Sequence, residues 1–179
     1  MFRYATLRNP VRLAIAVSVA AALAGAGWAL AVPSVVQADH GLPHGTVLAR
    51  GVFAENTDIK IKSTLGGVGR VMNVKDSADV IVQNVAIASG AQTGWHSHHG
   101  PVIVVVAAGT MTLYQADDPS CTGETFTVGE AFVDPGQGNV HNARNEGSVG
   151  VQLLATLLDV PPGAGPGIPG ANPGTCTGF

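Results

Sequence analysis

The chain has 179 residues, of which 46% are hydrophobic and 12% charged, and its formal net charge is −3. From residue 39 onward, six Lys and Arg residues stand against twelve Asp and Glu residues, which gives this part a formal net charge of −6. An acidic chain without a basic run lacks the positive surface that neutralises phosphates, so nucleic acid is not an expected partner.

The first 38 residues have the pattern of an export signal. Three arginines form a basic start, residues 13–32 carry no charge, and the small residue Ala38 precedes the polar Asp39. This order is typical of a secretory signal peptide that is removed after Ala38. The apolar run, expected to be a helix, is also long enough to cross a bilayer, so an uncleaved membrane anchor is the alternative. In both cases we expect a secreted or extracytoplasmic protein, in contact with a membrane only through a retained segment.

Residues 39–45 contain glycines and a proline without periodicity and are interpreted as a linker. Residues 46–160 carry the signals of a single all-β domain, because runs rich in Val, Ile, Thr and Leu alternate with clusters of Gly, Pro, Asn and Asp. No sustained helical pattern occurs there. Many short strands between glycine turns predict a sandwich or a barrel. The expected strands are 47–53, 80–88, 102–108, 111–114, 125–128 and 149–158.

The C-terminal segment, residues 161–179, contains five prolines and six glycines. Such a composition cannot bury enough apolar surface to fold alone, so we expect an extended tail. Two cysteines, Cys121 and Cys176, lie in the part expected to be exported. An even pair in an oxidising compartment predicts a disulfide, which would fix the far end of this tail. Two free thiols are the alternative.

Histidines form the most informative pattern of the chain. His96 and His98 are two residues apart, so on a strand they point to the same face while His99 points to the other. Two imidazoles on one face can share a metal ion, and the candidate third ligand is His141, which follows a turn at the start of an expected strand. The alternative for each is a hydrogen-bonded core histidine. His99 is expected at the surface.

These residues resemble the two motifs of the cupin superfamily. The first motif, G-x5-H-x-H-x3,4-E-x6-G, is matched by Gly90, His96, His98 and Gly109. The second, G-x5-P-x-G-x2-H-x3-N, is matched by Gly129, Pro135, Gly138, His141 and Asn145, with one extra residue between the proline and the second glycine. The resemblance implies a small single-domain cupin of the type-2-like kind, a double-stranded β-helix or jelly-roll barrel.

The resemblance also implies roles for the matched residues. His96, His98 and His141 would bind a divalent transition metal inside the barrel, namely Fe, Zn, Mn, Ni or Cu. The matched glycines would be turn residues, and Asn145 a structural residue beside the third ligand. The chain departs from the motif at Val102, which stands where the family has its glutamate. Glu130 and Asp134 lie within the second motif, but strand parity is undefined through that turn, so both are expected to be exposed charges without a role.

Three classes of function follow from this pattern. A three-histidine centre with open positions indicates a metal-dependent enzyme that acts on a small organic molecule, in a dioxygenase-like, isomerase or lyase reaction. The alternative is a non-catalytic cupin module of the cell envelope that binds a metal or a small ligand, and a purely structural envelope role is a third. Cupins commonly pair, so the resemblance also implies a homodimer.

Overall fold

The structure is a computed structural model that describes residues 45–177. The expected export segment, residues 1–38, and residues 39–44 of the expected linker lie outside the described residues. Residues 45–177 form β-strands and no helix, so this part of the chain contains no helix able to cross a membrane. The strands, numbered in chain order, are β1 (Thr46–Gly51), β2 (Ile59–Leu65), β3 (Val68–Val74), β4 (Asp79–Ile87), β5 (His96–Ser97), β6 (Val102–Ala108), β7 (Thr110–Gln115), β8 (Glu124–Thr127), β9 (Ala131–Asp134), β10 (His141–Arg144), β11 (Val151–Val160) and β12 (Ile168–Pro169).

The order of the strands identifies the fold as a jelly roll. One sheet has the order β1-β4-β11-β6-β9 and the other the order β12-β5-β10-β7-β8. Antiparallel pairing nests the strands from the outside inward, since β4 pairs with β11, β5 with β10, β6 with β9 and β7 with β8. A long antiparallel ribbon rolled into two facing sheets has this nested order. The expected jelly-roll barrel is therefore confirmed.

Side-chain alternation explains why these strands enclose a core. In β6, Val102, Val104 and Val106 are buried, whereas Ile103 and Val105 between them are exposed. The buried faces of both sheets share one cluster of aliphatic and aromatic side chains, because successive residues of a strand point to opposite faces.

The six strands whose ranges were expected from the sequence are present, with ends shifted by at most two residues, and β10 begins at His141, where a further strand was expected. The β2–β3 hairpin was not predicted; it turns at Gly66 and Gly67, and its strands are largely exposed. The short strands β5, β9 and β12 were also missed, because two to four residues carry too little alternation to be recognised.

The C-terminal segment is fixed to the barrel at several points. Arg50 donates hydrogen bonds to the carbonyl oxygens of Pro161 and Ala164, at 2.6 and 2.7 Å, while it pairs with the buried Asp79 at 2.5 Å. Further along, β12 pairs with β5, and Cys176 forms a disulfide with Cys121. The segment thus packs on the barrel, and its strand β12 forms one edge of the second sheet.

Residues 135–140, which join β9 to β10 and are called the 135–140 loop below, pass very close to Gly100. A β-carbon on Gly136 would collide with the carbonyl oxygen of Gly100, and the φ of Gly136 is +61°. Gly138, in the same loop, also has a positive φ but faces open space.

The two glycines give a matched pair of substitutions. Gly136→Ala is expected to lower the free energy of unfolding by about 3 kcal/mol or more, because left-handed strain and a backbone collision add. Gly138→Ala should lose only about 1–2 kcal/mol, through the strain alone. Urea unfolding of both variants measures the difference, and equal losses would contradict the close packing of the loop on Gly100.

The disulfide gives a second expectation. Cys121 and Cys176 are separated by 55 residues, so replacing both with serine should lower the free energy of unfolding by about 4 kcal/mol through restored chain entropy. Chemical denaturation of the double variant against the oxidised protein measures this loss. A double variant as stable as the oxidised protein would show that the cross-link does not restrict the unfolded chain.

Candidate metal centre

Strand pairing brings the three histidines of the two motifs together. His96 begins β5, His98 follows this strand, and His141 begins β10. His141 lies directly opposite His96 in the antiparallel pairing of the two strands. Residues 45 positions apart in the sequence therefore become neighbours through the register of one sheet.

The three rings surround one point inside the barrel. Their centroids are 4.3 Å apart for His96 and His141, 4.9 Å for His96 and His98, and 5.2 Å for His98 and His141. One ring nitrogen from each histidine lies within 4.8 Å of those of the other two, and all three side chains are buried. The structure thus shows the convergence expected from the sequence.

Each ring is held by its Nδ1 atom. The Nδ1 atoms of His96, His98 and His141 lie 2.9, 2.8 and 3.3 Å from the carbonyl oxygens of Gly94, Pro166 and Asn139, respectively. A carbonyl oxygen only accepts hydrogen bonds, so each Nδ1 carries the proton and donates it. In the neutral form of such a ring the Nε2 atom keeps a free lone pair, and this is the atom that a metal binds.

Burial keeps two of these rings neutral. It lowers the pKa of His141 to about 3, with a smaller contribution from the neighbouring His98. Burial, followed by His141 and His98, also holds the pKa of His96 well below its ordinary value. Neutral imidazoles are the form that coordinates a metal, so these two rings need not lose a proton to bind one.

The three histidines fit a transition-metal ion with a small closing movement. Two ligand atoms that are each about 2.1 Å from one ion can be at most about 4.2 Å apart. In the structure the three ring nitrogens are at most 4.8 Å apart, which is a fraction of an ångström more than this limit. The rings would have to turn slightly about their side-chain bonds to close that difference, and imidazole nitrogens suit Zn, Fe, Ni or Cu.

Asp134 was wrongly expected to be an exposed charge. It is the last residue of β9, its exposure is only 1%, and its Oδ2 atom lies 4.0 Å from Nε2 of His98. Its Oδ1 atom lies 3.5 Å from Nδ1 of His141. Burial raises the pKa of this carboxyl to about 6, and the nearby His98 opposes part of that rise. Asp134 therefore belongs to the site, and its pairing with Val102 of β6, which no local sequence pattern reports, directs its side chain inward.

The remaining residues of the two motifs have structural positions. Gly90, Gly109, Gly129 and Gly138 all have positive φ. Asn145 is buried and donates hydrogen bonds from Nδ2 to the carbonyl oxygens of Ile87 and Val149, at 2.9 and 2.8 Å, as the structural role implied by the resemblance requires.

Val102 is buried and cannot bind a metal. His99 is half-buried and lies outside the group of three, and Glu130 is exposed as expected.

The histidines open onto a small cavity in the barrel. Its volume is about 40 Å³, and its walls are mostly aliphatic. Three further polar residues line it, namely Asp134, Gln83 and Thr93, and the buried Oε1 atom of Gln83 accepts no hydrogen bond from the described residues. Drug-sized organic ligands occupy sites of roughly 300–1,000 Å³, so this cavity suits only molecules of a few heavy atoms.

A comparison with protein-family models found no match, and no curated protein matches the sequence significantly. Solved structures of similar fold include a protein of Klebsiella pneumoniae with a double-stranded β-helix domain, at 17% identity over 76% of this chain and 91% of that chain, with a TM-score of 0.46. A cupin domain from Bordetella pertussis is 18% identical, over 69% of this chain and 99% of that chain, with a TM-score of 0.44. A polyketide cyclase from Streptomyces resistomycificus is 20% identical, over 52% of this chain and 64% of that chain, with a TM-score of 0.42.

These similarities concern the fold alone. The jelly roll of this chain is established by its own strand order. The chain spans less than two thirds of the cyclase, and the activity of that enzyme is not transferred to it.

The buried histidines make the metal-free protein sensitive to acid. The pKa of His141 is about 3 in the folded state and ordinarily 6.5. Between these two pH values the unfolded chain binds a proton at His141 and the folded chain does not, so acid favours unfolding. This contribution to stability is complete above the ordinary value and is lost as the pH falls toward 3. Asp134 acts in the opposite sense, because its pKa is raised to about 6 and its contribution is lost as the pH rises through that value.

Replacing His141 with glutamine removes the first contribution and leaves the second. We expect the free energy of unfolding of His141→Gln to fall less between about pH 7 and about pH 5 than that of the unmodified protein. Urea unfolding in the presence of a chelator, at both pH values, measures this. The same pH dependence in both proteins would show that His141 is protonated in the folded state.

Proposed function

We propose that the protein holds one divalent transition metal through the Nε2 atoms of His96, His98 and His141 and uses it in a reaction of a small molecule. The observation that supports this most is the set of three buried imidazoles, each anchored at Nδ1 by a backbone carbonyl. Histidine ligands of metals characteristically donate their second ring nitrogen in this way, which fixes the tautomer and the ring plane. A core histidine that serves only packing has no need of two like neighbours.

The chemistry of such a centre is that of a Lewis acid with open coordination positions, at which small molecules bind and become polarised. The chain supplies the surroundings. Aliphatic walls exclude bulk water and strengthen electrostatic interactions inside the cavity. Gln83 offers a free acceptor oxygen to a donor group of a bound molecule, and Asp134 offers a carboxylate as the general acid or base that the sequence did not reveal.

The size of the cavity limits which molecules can be substrates. A volume of about 40 Å³ admits water or dioxygen, whereas a larger organic molecule requires movement of the lining side chains. Outside the cavity, a groove of about 670 Å³ is lined by Arg70, Asp117 and the 135–140 loop. This groove has the volume of an organic ligand site, and the loop beside it connects Asp134 to His141. Dioxygenase-like chemistry is therefore the first reaction class to test, ahead of isomerase or lyase reactions.

The alternative proposal is a module that binds a metal or small ligand without turnover. The small volume of the inner cavity favours it, because little room remains for an organic substrate beside a metal. The compartment is part of both proposals. The disulfide between Cys121 and Cys176 supports an oxidising, extracytoplasmic location, while export itself and a homodimer stay predictions.

A measurement of metal content tests the metal binding that both proposals include. After reconstitution with Fe, Zn, Mn, Ni or Cu and desalting, the purified protein should retain a stoichiometric amount of at least one ion, measured by elemental analysis. His141→Ala should lose most of it, because two neutral ligands remain. His99→Ala is the matched control, since His99 adjoins the site in sequence but lies outside the group, and it should bind like the unmodified protein.

No stoichiometric metal in the reconstituted protein would contradict the proposal. An equal loss in His99→Ala would do so as well. Where metal is bound, dioxygen consumption with a panel of small phenols and diketones separates an oxygenase from a binding module, and the His141→Ala sample treated with the same metal provides the background rate.

A further inference from the structure

We infer that Asp134 is a fourth protein ligand of the metal and supplies, from the neighbouring strand, the carboxylate that the chain lacks at Val102. This inference rests on the proposed metal site and extends it. It assigns a negatively charged oxygen ligand to a centre that the sequence pattern describes as three neutral nitrogens.

Strand register is the first argument. Val102 and Asp134 are directly opposite each other in the antiparallel pairing of β6 with β9. Directly opposite residues point to the same face of a sheet, with their β-carbons about 4.5–5.5 Å apart. Both are buried, and both line the cavity with the histidines. The carboxylate of Asp134 therefore enters the cavity beside Val102, the apolar residue that stands where the family has its glutamate.

Distance is the second argument. The Oδ2 atom of Asp134 lies 4.0 Å from Nε2 of His98, the nitrogen that remains free for a metal. This separation is within the limit of about 4.2 Å for two atoms bound to one ion. The oxygens of Asp134 lie outside the group of three histidines whose nitrogens are all within 4.8 Å of one another, so binding together with all three requires a movement of its side chain. The Oδ1 atom is 3.5 Å from Nδ1 of His141, but that nitrogen donates to the carbonyl oxygen of Asn139. Asp134 is thus not needed to orient His141 and is free to bind through Oδ2.

Charge is the third argument. Asp134 is 1% exposed, and within residues 45–177 its ion-pair partners at 4.0 Å or less are only the two histidines. The backbone N–H of Gly136 donates to Oδ2 at 3.2 Å, and Nδ2 of Asn139 donates to Oδ1 at 3.1 Å. These neutral donors orient the carboxylate without compensating its charge. A buried carboxylate usually has a cationic partner or a metal, and a divalent ion at the histidines would provide one.

The choice of ion gives the test, because carboxylate ligands favour hard ions such as Mn²⁺ more than Zn²⁺. Asp134→Asn keeps the shape of the side chain and removes its charge. We expect its affinity for Mn²⁺ to fall at least about 100-fold, and that for Zn²⁺ less. Glu130→Gln is the matched control, since it removes one exposed carboxylate four residues away and should bind both ions normally. Isothermal titration calorimetry measures the affinities.

Two readouts separate a ligand from a merely positioning residue. The visible absorption of the Co²⁺-loaded Asp134→Asn variant at saturation should differ from that of the unmodified protein, because an oxygen ligand has been exchanged. Val102→Glu added to Asp134→Asn should restore most of the Mn²⁺ affinity, since the carboxylate returns from the opposite residue. An unchanged Co²⁺ spectrum, or a folded double variant without recovery, would overturn the inference.

A measurement on the unmodified protein covers the case in which Asp134→Asn fails to fold. Addition of Mn²⁺ should shift a carboxylate band in the difference infrared spectrum, and Glu130→Gln should show the same shift. No carboxylate shift would overturn the inference. This outcome differs from failure of the proposed metal site, because in that case the unmodified protein would bind neither Mn²⁺ nor Zn²⁺. If both ions bind normally to Asp134→Asn and still require His141, only the role of Asp134 is wrong.

Discussion

The candidate site depends on one constraint, which is that three buried imidazoles must each satisfy Nδ1 with a backbone carbonyl. The carbonyls belong to Gly94 before β5, to Asn139 in the 135–140 loop and to Pro166 in the C-terminal segment. With Nδ1 occupied by a carbonyl, the Nε2 atom on the opposite side of each ring is the atom available to a metal. The barrel thus positions the rings, and the surrounding loops determine which nitrogen faces the cavity.

The 135–140 loop and the C-terminal segment therefore belong to the site as much as the strands do. The backbone N–H of Gln137 donates to the carbonyl oxygen of His98, and Asn139 contacts both Asp134 and His141. The loop can approach this closely because Gly136 has no side chain to collide with Gly100. On the other side, β12 covers β5 and brings Pro166 to His98. Arg50 and the disulfide hold this segment, so the orientation of His98 depends on contacts remote from the cavity.

Sequence patterns predicted the parts of this structure that are local or repeat a known spacing. Alternating apolar residues located the long strands, and the pair His96 and His98 with the distant His141 located the three rings. Asp134 was missed because its side-chain direction depends on the pairing of β9 with β6, which no local pattern reports. The contact between Pro166 and His98 was missed for a similar reason, since a segment rich in glycine and proline carries no periodicity that could indicate where it packs.

Asp134, whose place in the site was not predicted from the sequence, is connected electrostatically with the three predicted histidines. Three neutral imidazoles around a divalent ion leave two positive charges in a cavity lined mainly by Val, Leu, Met and Phe. Burial of an uncompensated charge in such surroundings is strongly unfavourable, as is burial of an unpaired carboxylate. Ion and carboxylate together leave one net positive charge, so each lowers the desolvation penalty of the other. The burial that raises the pKa of Asp134 would therefore also favour a divalent ion beside this carboxylate, at the three histidines.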